Sequence, residues 1–318
     1  MKRKCMLLLS SLFLFGCTQQ QEDVYLFSFF KGNGEDGLHL AYSKNGYNWT
    51  ALNNNKSFLI PAAGDDKLMR DPCIILGGDN KFHMVWTVSW NEKGIGYASS
   101  EDLIHWSDQK FIPVMTHEPD ARNCWAPELY YDNETGQYLI YWATTIPGRF
   151  HETDSTGDNG YNHRMYYTLT TNFTAFSETR LLYDKGFNVI DATIKKTDDR
   201  FTMFLKNETL LPQPEKNIRI AFSDSLYLHY SEASEPITDH WVEGPTVLKL
   251  SRGWIVYFDK YREKQMGAVY SENLTEWTDI SDKINFPEGT RHGSAFKVKE
   301  SVVENILSFT QNAANTYN

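Results

Sequence analysis

With 41 Asp and Glu against 31 Lys and Arg, the 318-residue chain carries a net charge of −10, so nucleic acid is a poor partner. Its 41% hydrophobic and 14% aromatic residues can fill a large core, in one large domain or two ordinary ones. The first element is a leader over residues 1–16. Lys2, Arg3 and Lys4 precede an apolar run from Met6 to Phe15 that is too short to span a bilayer and reads as a signal peptide.

That run closes on Leu14-Phe15-Gly16-Cys17, which resembles the lipobox of bacterial lipoproteins. The resemblance implies a lipidated Cys17, a tether over 17–23 and a cell-envelope location, in the outer membrane and facing the periplasm or the medium. The lipid anchor would be the sole membrane attachment. Removing Cys5 and acylating Cys17 leaves Cys73 and Cys124, which lack metal-ligand spacing and whose pairing stays open.

From residue 24 to about 300 the chain repeats itself. An apolar strand, a Ser or Thr, a polar turn and an aromatic recur as "LHLAYSKNGYNW", "IGYASSEDLIHW", "MYYTLTTNFTAF", "IRIAFSDSLYLHY" and "GAVYSENLTEW". All but the first follow a strand pair around a polar turn, such as "CIILGGDNKFHMVWT" and "ATIKKTDDRFTMFLK". Units of about 50 residues, built of short strands with almost no helical periodicity, predict an all-β fold, a five-bladed β-propeller of four-stranded blades. The first repeat lacks a leading hairpin, and the last strand start, "RHGSAFKV", lacks a following repeat; together they complete one blade and close the ring. Residues 301–318 are expected to trail off as a tail.

Each blade opens on a marked residue: Asp71 in "RDP", Trp125 to Glu128 in "WAPE", Asp191 in "IDA", Glu243 in "EGP" and His292 in "RHG". Innermost strands of a propeller line its axis, so these residues are expected to converge. Three acids from different blades suit glycoside hydrolysis, in which one carboxyl protonates the leaving oxygen and another activates water or attacks carbon. A third can tune the other two.

The order Asp-Pro, Trp-Ala-Pro, Ile-Asp, Glu-Gly-Pro, His-Gly on a five-bladed repeat resembles glycoside hydrolase family 43, over residues 24–299. The resemblance implies an inverting, exo-acting glycosidase that removes a terminal pentose from plant polysaccharides or oligosaccharides, with α-L-arabinofuranose the first choice and β-D-xylose the second. It implies Asp71 as general base, Asp191 as pKa modulator and Glu243 as general acid. It also implies a substrate-contacting Arg291, and a His292 that holds a hydrated central cation, often Ca²⁺, with no other cofactor required. Trp125 is expected to form a sugar platform and Glu128 to be structural. Trp86 and Trp90 are further candidates for stacking on sugar. Trp49, Trp106 and Trp277 recur at one place per blade and read as core.

The insertion "TIPGRFHETDSTGDNGYNHR" breaks the repeat, and its His163 and Arg164 are expected to reach the pocket. With "NETLLPQPEKN" it would block one side of a groove and favour attack on chain ends. Two rivals stand beside this reading. "RDP" also resembles the family 32 fructan hydrolases, whose "NDPNG" motif is absent here, with Asp36 the alternative acid; β-galactofuranose is a further substrate of that furanosidase kind. The other rival is a glycan-binding propeller without catalysis. A monomer is expected.

Overall fold

The computed structural model describes residues 23–316; the leader and Cys17 lie outside them. In chain order the strands are β1 (Asp23–Phe29), β2 (His39–Ser43), β3 (Thr50–Ala51), β4 (Arg70–Leu76), β5 (Phe82–Thr87), β6 (Ile95–Ser100), β7 (Lys110–Ile112), β8 (Trp125–Asp132), β9 (Gln137–Thr145) and β10 (His163–Thr170). They continue with β11 (Arg180–Tyr183), β12 (Val189–Thr197), β13 (Arg200–Asn207), β14 (Asn217–Ser223), β15 (Glu243–Lys249), β16 (Trp254–Lys260), β17 (Gln265–Ser271), β18 (Thr278–Asp279) and β19 (Gly293–Lys299). One helix, α1 (Glu300–Thr316), follows.

The strands form five antiparallel sheets, β19-β1-β2-β3, β4 to β7, β8 to β11, β12 to β14 and β15 to β18. Their first strands pack in a closed ring, β19 on β4, β4 on β8, β8 on β12, β12 on β15 and β15 on β19. This is the expected five-bladed propeller. N- and C-terminal strands close it, since β1 pairs with β19 from Asp23↔Lys299 to Phe29↔Gly293.

The repeat has a physical content. After the third strand of a blade, a Ser or Thr hydroxyl accepts a backbone N–H three residues on: Ser43 from Gly46, Ser100 from Leu103, Thr170 from Phe173 and Ser271 from Leu274, at 2.8–3.0 Å. The carboxyl or amide oxygens of Asn45, Asp102, Asn172 and Asn273 each accept two more N–H groups. These side chains replace ladder bonds at a tight turn. The fourth copy carries one extra residue between Ser223 and Tyr230. Its outer position is accordingly held by an irregular segment, bonded to β14 through Ser231, Ser234 and Ile237 N–H groups.

Alternation along each strand sends side chains to opposite faces. Leu26 enters a core shared with β4 and β5, while its neighbour Phe27 enters one shared with β15 and β16. Five such cores, one between each pair of adjacent blades, account for most of the buried apolar side chains. Trp49, Trp106 and Trp277 pack there as read. Trp86 does too: fully buried among Met84, Ala98 and Leu103, it is no sugar platform.

The expected C-terminal tail is instead α1. Val303 and Ile306, three apart on one face, insert into the core beside β1, and Lys44 pairs with Glu300 at 2.8 Å. Ile306→Ala should therefore cost about 2–4 kcal/mol, read as a lowered urea midpoint. An unchanged midpoint would show that α1 contributes nothing to the propeller.

Candidate active site

Four first strands share one defect. Their register against the second strand slips between Arg70 and Cys73, Trp125 and Glu128, Ile190 and Thr193, and Glu243 and Thr246. At the same step φ turns positive, to 52° at Asp71, 46° at Ala126, 49° at Asp191 and 62° at Gly244. A bulge of this kind frees a residue from the ladder and re-aims its side chain, which takes Asp71 and Asp191 to the axis. Left-handed backbone at a non-glycine residue costs on the order of 1–3 kcal/mol, and Asp tolerates it better than most. Glycine at 244 is also a packing need, because a Cβ there would lie 2.2 Å from the His292 ring.

The register shows that Glu243 is not the counterpart of Asp71. It precedes its bulge, as do Arg70, Trp125 and Ile190. Directly across the ladder from Arg70, Ile190 and Glu243 lie Thr87, Lys206 and Asp259. Three blades thus set a polar residue of the second strand opposite the residue that precedes the bulge.

These side chains surround a cavity of ≈ 480 Å³ lined by Asp71, Asp191, Glu243, Arg291 and His292, together with Arg70, Thr87, Trp90, Trp125, Lys206 and Glu208. His292 Nδ1 lies 3.3 Å from Asp71 Oδ1 and 4.0 Å from Asp191 Oδ2. Thr87 donates to Asp71 Oδ2 at 2.8 Å, and the Gly244 N–H to Asp191 Oδ2 at 3.0 Å. Glu243 is gripped at both oxygens, by Lys206 at 3.3 Å and Arg291 at 3.1 Å. Arg291 also pairs with Asp259 at 2.9 Å, and Lys206 with Glu208 at 2.6 Å.

The same contacts sort the acids. Burial alone would raise Asp71, but the His292 charge and hydrogen bond, with Arg70 and Thr87, hold it at about 2. Burial does raise Asp191, to about 6, against the pull of His292 and Lys206 and with the push of Glu243 and Asp71. For Glu243 the burial penalty is outweighed by Lys206, Arg291 and His292, so its carboxyl stays below the usual range. Asp259 is raised by burial and by Glu243 to about 6. His292 goes the other way: burial opposes its charge, yet Asp71, Asp191 and Glu243 lift it to about 9.

His292 Nδ1 faces Asp71 Oδ1 at 3.3 Å, so this ring nitrogen is turned to the acids. Among the described residues no group of three or more His, Cys, Asp or Glu has metal-site spacing.

Trp90 and Trp125 stand at the cavity wall, edge to face at 5.3 Å, with Trp125 Nε1 donating to the Trp90 carbonyl at 3.0 Å. The insertion supports this wall rather than entering the cavity. Tyr161 lies 4.7 Å from Trp125, and His163 is buried behind at 5.0 Å with Nδ1 on Thr145 Oγ1. Arg164 does not reach the cavity either: second in β10, it is fully buried and bonded to Asp184 at 2.5 Å and to Asn162 and Thr153. An apolar strand takes a guanidinium when its charge and its donors are matched. Thr156 of the insertion accepts the Leu210 N–H, tying it to the second excursion. Asp36 pairs with His39 at 2.8 Å and does not line the cavity. Cys73 and Cys124 are free and buried.

Sequence reasoning missed Thr87, Lys206, Glu208 and Asp259. The signal was present, a polar residue closing an otherwise apolar second strand ("FHMVWT", "FTMFLK", "WIVYFD"), but its cross-strand partner is a matter of register.

Glu128, past its bulge, accepts from Thr193 at 3.1 Å and from the Cys73 thiol at 3.5 Å; burial raises it from 4.5 to about 7. Unfolded Glu128 ionises first, so stability is lost as pH rises from 4.5 to about 7 and the loss is complete above. Glu128→Gln should then gain on the order of 3 kcal/mol relative to wild type between pH 4 and pH 8, in urea unfolding. An equal difference at both pH values would mean an ordinary, paired carboxylate.

A family model described as a probable glycosyl hydrolase domain, related to family 43, matches residues 21–304. An α-L-arabinofuranosidase of Bifidobacterium longum subsp. longum is 22% identical over 355 positions, covering 87% of this chain and 33% of that protein. The chain thus spans about a third of the length of this relative. Among solved structures, an α-L-arabinofuranosidase from Lactobacillus brevis matches with TM-score 0.53 and 18% identity over 67% of this chain and 72% of the other. The RS223 β-xylosidase matches with TM-score 0.51 and 13% identity over 67% and 77%. At such identities the likeness is one of fold. On its match over nearly the whole described length, the chain belongs to the family of glycosyl hydrolase domains related to glycoside hydrolase family 43.

Proposed function

We propose that the protein is an inverting, exo-acting glycosidase that releases a terminal pentose, α-L-arabinofuranose before β-D-xylose, from plant polysaccharides or oligosaccharides. The observation that carries this reading is the convergence of Asp71, Asp191 and Glu243, from three separate blades, on one cavity. The arabinofuranosidase among its relatives favours that sugar. A lipidated Cys17 would present the enzyme at the cell envelope.

In this reading Asp71 is the base. Ionised at neutral pH, with Thr87 and His292 fixing its two oxygens, it has lone pairs left to take a proton from water attacking the anomeric carbon. Glu243 is the acid, and its proton is the harder matter. In the free cavity Lys206 and Arg291 hold it ionised, while Asp191 carries the higher affinity. The two carboxyls compete for one proton. A sugar that displaces water and loosens the Lys206 or Arg291 contact moves that proton to Glu243, beside the leaving oxygen. Asp191, fixed by the Gly244 N–H, is the modulator. Arg291, Trp90 and Trp125 hold the glycan, and one wall of joined loops favours chain ends.

The test is a panel of nitrophenyl glycosides: α-L-arabinofuranoside, β-D-xyloside, β-D-galactofuranoside and β-D-fructofuranoside. Wild type should hydrolyse the first best and give product of inverted anomeric configuration by NMR. Asp71→Asn should lower kcat/KM by about 10²–10⁴-fold whatever the leaving group. Glu243→Gln should lose more with a poor leaving group than with a good one, as removal of an acid requires. Retained configuration would sink inversion. Silence on the panel and on oligosaccharides that nevertheless bind would leave a glycan-binding propeller.

A further inference from the structure

The cations of the cavity are matched to carboxylates with one exception. Lys206 has Glu208 and Glu243, Arg291 has Asp259 and Glu243, and His292 has Asp71. Arg70 lines the same cavity and is only 8% exposed, yet no carboxylate comes within ion-pair distance of its guanidinium among the described residues. Asp71, its neighbour in sequence, directs its oxygens to His292 and Thr87.

The guanidinium is nevertheless held in place. It stacks 4.3 Å from the centre of the Trp90 ring and 4.8 Å from that of Phe30. Its Nη1 donates to Asn33 Oδ1 at 2.9 Å, and the same oxygen accepts from Trp90 Nε1 at 3.1 Å. Gly34, at φ +89°, makes room for the stem, since a Cβ there would lie 2.9 Å from Arg70 Cγ. Among the described residues, one of its five N–H donors is used.

A desolvated, immobilised guanidinium with spare donors is costly unless a counter-charge arrives. Neutral hydroxyls would satisfy donors but bring no charge into contact with the guanidinium. A planar fork matches carboxylate and sulfate oxygens in pairs. We propose that Arg70 receives an oxyanion carried by the substrate, a uronate carboxylate or an ester sulfate, on the sugar unit next to the one released. The inference rests on the axial cavity being the glycan site and adds that the glycan is acidic.

Calorimetric binding of D-glucuronate, D-galacturonate and galactose 6-sulfate, beside D-glucose and D-galactose, tests it on the full chain without requiring turnover. At least one acidic sugar should bind about tenfold tighter than its neutral counterpart or better, which corresponds to about 1.4 kcal/mol. A carboxylate preference would identify a uronate and a sulfate preference a sulfated sugar. Arg70→Gln should bring the ratio to about one, and Arg70→Lys should keep part of it. Asn33→Asp supplies a counter-ion from within the chain and should abolish the preference with the guanidinium intact, which decides the matter should Arg70→Gln fail to fold. A wild-type ratio near one, or a ratio that survives both Arg70→Gln and Asn33→Asp, overturns the inference. Acidic preference with silence on the glycosides and on acidic oligosaccharides that bind would spare it and sink the hydrolase reading; hydrolysis without acidic preference would do the reverse.

Discussion

Several carboxyl groups cannot share a desolvated cavity unless cations are interleaved among them, and the rest of this site follows from that constraint. Each buried carboxylate costs several kcal/mol unless paired or hydrogen-bonded, and like charges at short range add to the cost. The propeller meets the constraint by taking its countercharges from different strands. His292 comes from the closing turn of the ring, Arg291 from beside it, and Lys206 from the second strand of another blade. The three acids are therefore unequal in proton affinity although they share one cavity.

The backbone pattern that makes this possible is repeated. A bulge at the head of four first strands turns one residue out of the ladder. What differs is the side chain placed there: Asp71 and Asp191 bring carboxyl groups, Ala126 follows Trp125 of the cavity wall, and Gly244 clears space for His292. The same local geometry thus yields two axial carboxyl groups, a wall and a void. Replacing one side chain need not disturb the strand beneath it, which is held by the cores between blades. The ring is held in turn by β1 on β19, so the site depends on the two ends of the propeller meeting.

Much of this was legible in the chain itself. The five-fold repeat could be read because its Ser/Thr and Asn/Asp turns are local, each bond spanning two or three residues. The acids Asp71, Asp191 and Glu243 could be read because ionisable residues at the mouth of apolar strands are conspicuous. Lys206 and Asp259 were not, although they close apolar strands in the same way, because their significance depends on who sits across the ladder. Arg164 and Trp86 misled for the converse reason: their residue types suit sugar binding, but their strand faces turn them into the protein. The helix α1 was missed because the strand repeat ends just before it and Val303 and Ile306 have no visible partner until β1 is folded beside them.

By itself the sequence determined the repeat, hence the blade count, and the identity of the acids that head the blades, because both are properties of neighbouring residues. Only the tertiary structure decided which cation meets which acid, that Glu243 stands one residue out of register with Asp71, and that no carboxylate among the described residues comes within ion-pair distance of Arg70. Those are facts of approach between strands distant in the chain, and charge pairing is set by distances of a few ångströms that no spacing along the sequence encodes.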